Sequence, residues 1–323
     1  MTPDPTPQGA GRPGVSVVIP AYNYARFLPA AIDSALAQEY LHTEIIVVND
    51  GSTDDTPAVL ERYGNRIKAI HQANAGLPAA RNAGIQAAQH PFVAFLDADD
   101  FWQPTMLSRV METFATLPAE FGLVACGEER TDATGKPVSF QAFEKNPERE
   151  ISVADIILQT RFGPSATVVK KEVFAAAGLF DTTLRSSEDR DMWIRIAAQR
   201  RVYRIADKLA MIRRHGGNMS MHADRMKLNM NCVLGKAYRV GLVPRSRWWF
   251  WLQVRGFFHF QTSQMFNGAG RRVEAFRSLA ASAICWPWYL RPERLNQPAL
   301  FRLRAAVRYF VDGLHRRRHG PPA

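Results

Sequence analysis

Phe92-Val-Ala-Phe-Leu-Asp-Ala-Asp-Asp-Phe-Trp102 joins an apolar run directly to three carboxylates. Residues 92–96 are apolar without interruption, a pattern that favours a short strand buried on both faces of a sheet. Asp97, Asp99 and Asp100 follow at the point where this strand ends. In open α/β sheets, ligands bind outside the carboxyl ends of the strands. The stretch therefore predicts a buried strand that delivers acidic side chains to a ligand site.

Further strands and helices surround this stretch. Other predicted strands span 15–19, 44–48, 67–70 and 166–169, and predicted helices span 27–38, 77–89, 152–160 and 189–198, with two more starting at Thr56 and Gln103. Between residues 128 and 150 the pattern weakens into polar loop with short strands. Because strands and helices alternate, we expect an α/β fold with a mostly parallel central sheet flanked by helices.

Polar groups follow the other predicted strands as well. The first strand ends in Pro20-Ala-Tyr-Asn23, the second in Asn49-Asp-Gly-Ser-Thr-Asp54, and the third is followed by segments 74–76 and 81–84. A dinucleotide-binding enzyme would carry GxGxxG after the first strand, and a P-loop enzyme would carry GxxxxGK[ST]. Neither motif is present there. The turns therefore exclude these two classes and indicate a different polar site.

Asp97 and Asp99 are the candidate metal-binding pair. Two carboxylates spaced i, i+2 on a turn can share a hard cation such as Mg²⁺ or Mn²⁺, which completes its shell with phosphate oxygens. Acidic residues also cap helices and fill turns, so a purely structural role is the alternative. The position of the pair directly after a buried strand favours the metal site.

Five segments together resemble family-two glycosyltransferases with the GT-A fold. They are VSVVIPAYN (15–23), EIIVVNDGSTDDT (44–56), NAGLPAARNAG (74–84), FVAFLDADDFW (92–102) and GLFDTTLRSSEDRDMWIRI (178–196). Their order and spacing match the family over about residues 15–215. The resemblance implies a nucleotide-sugar donor, a divalent metal, and transfer with inversion at the anomeric carbon.

The resemblance also implies roles for individual residues. Asp189 would be the catalytic base, and Asp99 the main metal ligand, with His215 as a further metal-side candidate in a segment that closes over the diphosphate. The donor-binding residues would be Pro20, Tyr22, Asn23, Asp50, Arg81, Asn82 and Asp97. The acceptor-side candidates are Glu188 and Trp102.

Three of these assignments have a structural alternative. Asp189 begins a predicted helix, where an acid interacts favourably with the helix dipole without any catalytic role. His215 could hold a structural hydrogen bond. Arg81 lies on a predicted helix and could be a surface residue.

The charge is unevenly distributed along the chain. The last 123 residues (201–323) contain 23 basic and 5 acidic side chains, a net of +18, whereas the first 200 residues carry −7. We divide the chain into a disordered leader (1–14), a GT-A catalytic domain (15–220) and a basic, aromatic-rich helical C-terminal region (221–323). The basic region would favour an anionic partner such as a membrane surface, although a solvated basic face would look the same.

Two features bear on where the protein works. The segment Trp248-Trp-Phe-Trp251, flanked by arginines, fits either a helix lying in the membrane interface or an internal helix packed on the catalytic domain. Cys126, Cys232 and Cys285 form no CxxC pair and fit a reducing compartment. We therefore expect a cytoplasmic protein, peripheral on the inner face of the cell membrane.

The sequence predicts an inverting glycosyltransferase. It would move a sugar from a nucleotide diphosphate sugar, with UDP-sugars favoured, to a hydroxyl of a glycan or lipid-linked acceptor in cell-surface polysaccharide or glycolipid synthesis. The alternative is a catalytically inactive protein that binds nucleotide sugars or glycans. A nucleic-acid partner is not expected, because the basic region carries no recognised nucleic-acid-binding motif.

Overall fold

A computed structural model describes residues 11–138, 148–215, 222–288 and 300–319, with side chains described up to residue 312. The strands of this part form one nine-stranded sheet. Their bounds are β1 Val15–Ala21, β2 Thr43–Asp50, β3 Lys68–Gln72, β4 Phe92–Phe95, β5 Phe101–Trp102, β6 Phe121–Thr131, β7 Arg149–Ile151, β8 Thr167–Lys170 and β9 Arg201–Arg213.

Helices cover the sheet and form the C-terminal region. Their bounds are α1 Leu28–Leu36, α2 Thr56–Glu61, α3 Leu77–Ala87, α4 Met106–Thr116, α5 Val153–Leu158, α6 Val173–Ala177, α7 Glu188–Ala197, α8 Ala223–Val240, α9 Trp248–Gly268, α10 Arg272–Cys285 and α11 Phe301–His319. Two short 3₁₀ helices lie at Gly64–Arg66 and Pro164–Ala166.

The predicted mostly parallel sheet is confirmed. The strand order is β3-β2-β1-β4-β8-β6-β9-β5, with β7 paired to β9. The pairs β3–β2, β2–β1, β1–β4 and β6–β9 are parallel, and β8 runs antiparallel between β4 and β6. Every residue of β1 is buried, because this strand lies inside the sheet and is covered on both faces. The carboxyl ends of β1, β2 and β4 therefore open on the same rim.

The longest strands, β6 and β9, were not predicted, and only the end of β6 falls in the region 128–150 that was expected to contain short strands. They pair in parallel from Phe121 beside Arg201 to Thr131 beside Arg213, with register shifts between residues 121 and 128. On its other edge β9 pairs with the two-residue strand β5, which follows the acidic turn directly. The position of β5 in the sheet therefore depends on β9.

The C-terminal helices share the hydrophobic core of the sheet domain. Met230 and Val233 of α8 and Phe257 of α9 are buried in the same core cluster as β1 and β4. Among the described residues, no helix is long and apolar enough to cross a membrane. The tryptophan-rich start of α9 is divided between interior and surface: Phe250 and Trp251 are buried, whereas Trp248 and Trp249 are exposed.

The predicted leader is only partly described. Residues 1–10 lie outside the described residues. Within the remainder, the carbonyl oxygen of Pro13 accepts a hydrogen bond from the hydroxyl of Tyr40 at 2.7 Å. The backbone just before β1 is thereby held on the sheet domain.

Candidate active site

A cavity of about 870 Å³ opens at the carboxyl ends of β1, β2 and β4. This volume lies in the range of small-molecule sites. The cavity brings together seven residues that the sequence predicts to act there: Pro20, Tyr22, Asn23, Asp50, Asp97, Asp99 and His215. The other five predicted residues, Arg81, Asn82, Trp102, Glu188 and Asp189, are not among its lining residues.

Asn23 shapes the cavity wall after β1. Its φ of 58° lies in the left-handed region, which asparagine tolerates better than most residues. The side-chain Oδ1 accepts a hydrogen bond from the backbone N–H of Thr53 at 2.7 Å, and its own backbone N–H donates to Ser52 Oγ at 2.9 Å. The turn after β1 is thereby fastened to the turn after β2, and the neighbouring Tyr22 remains 45% exposed at the cavity.

Asp50, the last residue of β2, organises the loop that precedes α3. Its Oδ1 accepts hydrogen bonds from Gln72 Nε2 at 2.7 Å and from the backbone N–H of Ala75 at 2.9 Å, and its Oδ2 accepts one from Gly76 N at 2.8 Å. Gly76 has a φ of 93°, so a residue with a side chain would be strained there. Asp50 is almost fully buried yet lines the cavity, so it both shapes this wall and borders the open space.

The three carboxylates after β4 have different surroundings. Asp97 is the most exposed and accepts a hydrogen bond from Arg81. Asp100 is buried and accepts from Ser165 Oγ at 2.6 Å and from the backbone N–H of Arg213 at 2.9 Å. Burial and the neighbouring carboxylates raise the pKa of Asp99, and raise that of Asp100 well above its usual range. This repulsion is what a bound cation would relieve.

His215 lies against Asp99. Its Nε2 is 3.0 Å from Asp99 Oδ2, and its ring stacks on Phe27 with centroids 4.7 Å apart. Tyr24 presents its ring edge to the same imidazole, and burial together with the charge of Asp99 raises the pKa of Tyr24. These contacts fix the histidine ring where it meets the acidic turn.

The donor set fits a hard divalent cation. A carboxylate oxygen and an imidazole nitrogen already converge at Asp99 and His215, and Asp97 lines the same cavity. Within the described ranges, no group of three or more His, Cys, Asp or Glu side chains is arranged to hold an ion. A cation at this point would therefore take much of its shell from a ligand, as Mg²⁺ and Mn²⁺ commonly do with phosphates.

Arg81 connects the acidic turn to the start of α7. Its guanidinium donates to Asp97 Oδ1 at 2.7 Å and to Glu188 Oε1 at 2.6 Å, and it lies 5.4 Å from the ring centroid of Phe180. The side chain is only 1% exposed, so Arg81 is not the surface residue that the sequence left open. Its buried charge is compensated by carboxylates from two separate elements.

Asp189 follows Glu188 in the first turn of α7 and is half-buried. Burial raises its pKa to about 7, and the charge of Glu188 acts in the same direction, while Arg81 opposes it. A carboxylate with a pKa near neutrality can accept a proton at physiological pH and release it again. The raised pKa of Asp189 therefore suits a general base. An acid that only interacts with the helix dipole would not require a raised pKa.

Two predicted residues are held by backbone groups away from the cavity. The amide of Asn82 donates to the carbonyl of Phe180 at 2.9 Å and accepts from its N–H at 2.8 Å. The indole Nε1 of Trp102 donates to the carbonyl of Ser165 at 2.6 Å, and this side chain is 3% exposed. The role of Asn82 in binding the donor sugar and that of Trp102 on the acceptor side stay predictions. The placement of these two side chains does not support either role directly.

The cavity also contains residues that sequence reasoning missed. They include Tyr24, Arg185, His222 and Arg225. Arg185 lies in the quoted segment before Asp189, so its proximity in sequence to a candidate site residue was a usable signal. His222 and Arg225 belong to the start of α8, beyond the last family-like segment, and no local signal marked them. The C-terminal region therefore contributes to the site.

Comparisons with known proteins bear on the family and the fold of the chain. The model of glycosyl transferase family 2 matches residues 16–174. An uncharacterised glycosyltransferase of Nostoc sp. is 37% identical over 219 residues, covering 65% of this chain and 67% of that protein. The chain spans 62% or less of the uncharacterised Rickettsia glycosyltransferases that it matches.

Two solved structures have the same fold. The mannosyltransferase PcManGT from Pyrobaculum calidifontis, in complex with GDP-Man and Mn²⁺, is 19% identical with a TM-score of 0.62, over 97% of this chain and 89% of that one. TarS of S. aureus (residues 1–349), in complex with UDP, is 17% identical with a TM-score of 0.55, over 86% of this chain and 93% of that one. The predicted GT-A fold is confirmed, and the chain belongs to glycosyltransferase family 2.

Proposed function

We propose that this glycosyltransferase moves a sugar from a nucleotide diphosphate sugar to an acceptor hydroxyl with inversion, and that Asp189 is the general base. One observation carries the proposal: buried Arg81 joins Asp97, on the cavity wall, to Glu188, which precedes Asp189. A donor held at the acidic turn would thus lie on the side of the first turn of α7. That turn bears Glu188, Asp189 and Asp191. Direct displacement needs a base on the side opposite the leaving group, and a carboxylate can serve as that base.

The donor would lie along the cavity wall formed by the ends of β1 and β2. Backbone hydrogen bonds hold Asp50 and Asn23 in place there, and the exposed ring of Tyr22 offers a surface for the nucleobase of the donor. The two solved neighbours bind UDP and GDP-Man, respectively. We favour a UDP-sugar for this chain, with other nucleotide sugars as competitors in the same assay.

A divalent cation, Mg²⁺ or Mn²⁺, would be held by Asp99, with His215 beside it. When bound, it would supply positive charge that stabilises the departing diphosphate. Other residues of the chain position these two side chains. Asp100 fixes the acidic turn through its hydrogen bond with Ser165, and Phe27 fixes the imidazole of His215 by stacking. The neighbour PcManGT contains Mn²⁺, which makes that ion the first to test.

The acceptor would enter beside α7 and α8. Ser186, just before the start of α7, accepts a hydrogen bond from Asn229 of α8 at 2.9 Å, and Arg185 and Arg225 of the same two segments line the cavity. Two cations at this point fit an acceptor with an anionic group, such as a lipid-linked glycan. We therefore propose a glycan or lipid-linked acceptor of a cell-surface polysaccharide or glycolipid.

The enzyme would meet such an acceptor at a membrane surface. Support comes from the exposed indoles of Trp248 and Trp249, which follow Arg245 and Arg247, and from the +18 charge of residues 201–323. We accordingly place the protein on the inner face of the cell membrane, in peripheral association.

A donor panel tests the function. The full chain is incubated with UDP- and GDP-sugars and Mn²⁺, and released nucleoside diphosphate is measured with and without membrane extract as acceptor source. We expect one donor to be consumed, and consumption to be lost in Asp189→Asn although that variant still binds the donor. A chain that binds a donor but never consumes it, with any extract, would instead be the inactive sugar-nucleotide-binding protein.

A further inference from the structure

The last described helix, α11, packs on α9 and α10 through one face. Phe301, Ala305 and Tyr309 are buried on that face at i, i+4, i+8 spacing. The ring of Phe301 lies 4.4 Å from that of Phe260 on α9, and the Tyr309 hydroxyl lies 2.9 Å from Ser263 Oγ. These contacts fix the orientation of the helix, so its opposite face must point away from the core.

That opposite face is apolar. Leu303, Val307 and Phe310 recur at i, i+4, i+7 spacing and are 60%, 57% and 65% exposed, respectively. Single exposed apolar residues are common on protein surfaces, but a continuous stripe along a helix marks a docking surface. We call these three side chains the α11 stripe.

The charge beside the stripe identifies its partner. Arg304 and Arg308 are exposed on one flank. Asp312, the acidic residue of this helix, accepts a hydrogen bond from Nδ2 of Asn267 in α9 at 2.8 Å. An apolar stripe bordered by arginines fits an anionic lipid surface, where the apolar side chains enter the acyl boundary and the guanidinium groups meet phosphates. A second copy would bring arginines against arginines, so charge disfavours self-association.

The C-terminal part of α11 is connected to the candidate active site through α10 and α8. The guanidinium of Arg272, at the start of α10, donates to the carbonyl of Asp312 at 3.2 Å. Its neighbour Arg271 forms an ion pair with Asp224 at the start of α8. Arg225, the next residue, lines the cavity. A hydrogen bond, an ion pair and two pairs of chain neighbours thus connect the C-terminal part of α11 with the cavity wall through α10 and α8.

We propose that α11 lies in the plane of an anionic membrane surface, with Leu303, Val307 and Phe310 inserted among the lipids and the acceptor side of the cavity next to the headgroups. The proposal rests on the peripheral membrane location proposed above and names the surface responsible. It gives the C-terminal helices a specific task, which is to hold the cavity where a lipid-linked acceptor is concentrated.

Vesicle sedimentation of the full chain tests this surface. The probes are vesicles of phosphatidylcholine alone and of phosphatidylcholine mixed equally with phosphatidylglycerol. We expect binding to the anionic vesicles and little binding to the neutral ones. The variant Leu303→Ser/Val307→Ser/Phe310→Ser should bind anionic vesicles at least about tenfold more weakly. In Arg308→Gln, binding at low salt should fall about fivefold.

Matched controls separate this surface from others. Leu41→Ser removes a leucine of the sheet domain that is more exposed (83%) than Leu303 (60%), and this variant should bind like the native chain. All substituted apolar residues are exposed, so unchanged thermal melting is expected and verifies folding. Trp248→Ser/Trp249→Ser reports on the start of α9 independently of α11.

Each outcome has one meaning. If the native chain ignores anionic vesicles at low salt, both the peripheral location and the α11 surface are wrong. If the native chain and the α11 triple variant bind equally while the tryptophan variant fails, the location stands and the α11 surface is wrong. A native dimer in analytical ultracentrifugation that the triple variant dissociates would assign the stripe to self-association and overturn the proposal.

Discussion

Asp189 is the residue whose surroundings say most about chemistry. Burial is the main cause that raises the pKa of its carboxyl group to about 7, and the charge of Glu188 acts in the same direction. Because folding raises this pKa above its unfolded value of 3.8, the folded state binds the proton more tightly than the unfolded chain. The stability that this group contributes is fully present below pH 3.8 and is lost as the pH rises through about 7.

Asp189→Asn should therefore separate catalysis from stability. We expect turnover to fall roughly 10²–10⁴-fold while donor affinity stays nearly intact. Thermal melting should show the variant to be more stable than the native chain above pH 7, with the difference vanishing near pH 4. In the native chain kcat/KM should rise with pH through about 7. A variant with near-native turnover would assign the base to another carboxylate, with Glu188 and Asp191 next to be tested.

Asp99 is the residue on which metal dependence should hinge. In Asp99→Asn, Mn²⁺ should no longer strengthen donor binding, because the carboxylate beside His215 is lost. Calorimetric titration with and without a chelator measures this. Asp207→Asn removes a carboxylate paired with Arg109 at the surface and should keep the native metal response. If the chelator leaves the donor affinity of the native chain unchanged as well, the metal site is refuted.

Asp50 illustrates how far sequence reasoning reached at single residues. Its place at the rim follows from the end of a predictable strand, and so does that of Asp97. The partners of Asp50 are backbone groups of residues 75 and 76, which lie in a loop whose conformation no periodicity reveals. The buried bridge from Arg81 to Glu188 spans 107 residues of sequence, so local patterns could place Arg81 only on a helix.

At the level of elements, Asp50 links β2, β3 and α3. Asp50→Ala would leave the N–H groups of Ala75 and Gly76 without their acceptor, at a cost of about 1–3 kcal/mol in the free energy of unfolding. Donor affinity should fall as well, because the loop forms one cavity wall. Urea unfolding and donor titration, performed where the variant is folded, measure both. Native donor affinity in a destabilised variant would show that Asp50 acts only in the turn.

Arg81 joins α3, the acidic turn and α7 through buried ion pairs. Arg81→Met keeps much of the volume but leaves Glu188 and Asp97 without their cation, and we expect the free energy of unfolding to fall by about 3–5 kcal/mol. Urea unfolding measures this loss. Adding Glu188→Gln should restore part of the stability by removing the most buried of the unpaired charges. An equally unstable double variant would argue against charge as the cause.

The buried strands β1, β2 and β4 were predictable, and so were α5, β8 and α7 of the second half, whereas β6 and β9 were not predicted. β1, β2 and β4 contain the apolar runs 17–21, 45–48 and 92–95, a pattern typical of buried strands. β9 carries charged residues such as Asp207 and Lys208 along its length, so its hydrophobic pattern is weak. β6 is charged only near its end, at residues 128–130, and the uncharged run before them was a usable strand signal that sequence reasoning missed. The antiparallel insertion of β8 between β4 and β6 is a long-range pairing that no local sequence specifies.

At the scale of the whole molecule, α8 belongs to the site and to the core. It contributes His222 and Arg225 to the cavity wall, and its Met230 and Val233 are buried in the shared core. A chain that ends at residue 220 should therefore lose cooperative melting and donor binding. Circular dichroism and donor titration test this expectation.

A chain that ends at residue 299 serves as the matched control for that truncation. It keeps α8 and lacks α11, so we expect it to melt at a lower temperature but to bind the donor. Loss of α11 uncovers Phe260, which explains the lower stability. If the 220-residue chain folds and binds donor like the full chain, the C-terminal helices are a separate unit.

The place of β9 inside the sheet, between β6 and β5, has a consequence for biosynthesis. A nascent chain that has emerged only as far as β8 lacks the strand against which Phe101 and Trp102 pair, and Asp100 lacks the N–H donor of Arg213. The acidic turn is thus synthesised early and fixed late, after more than a hundred further residues have joined the chain. Such long-range pairing is slow, and it leaves the half-made sheet with an open edge on the ribosome. The acidic turn of this enzyme would therefore reach its native geometry only after β9 has been made, and the open sheet edge would need protection most just before β9 arrives.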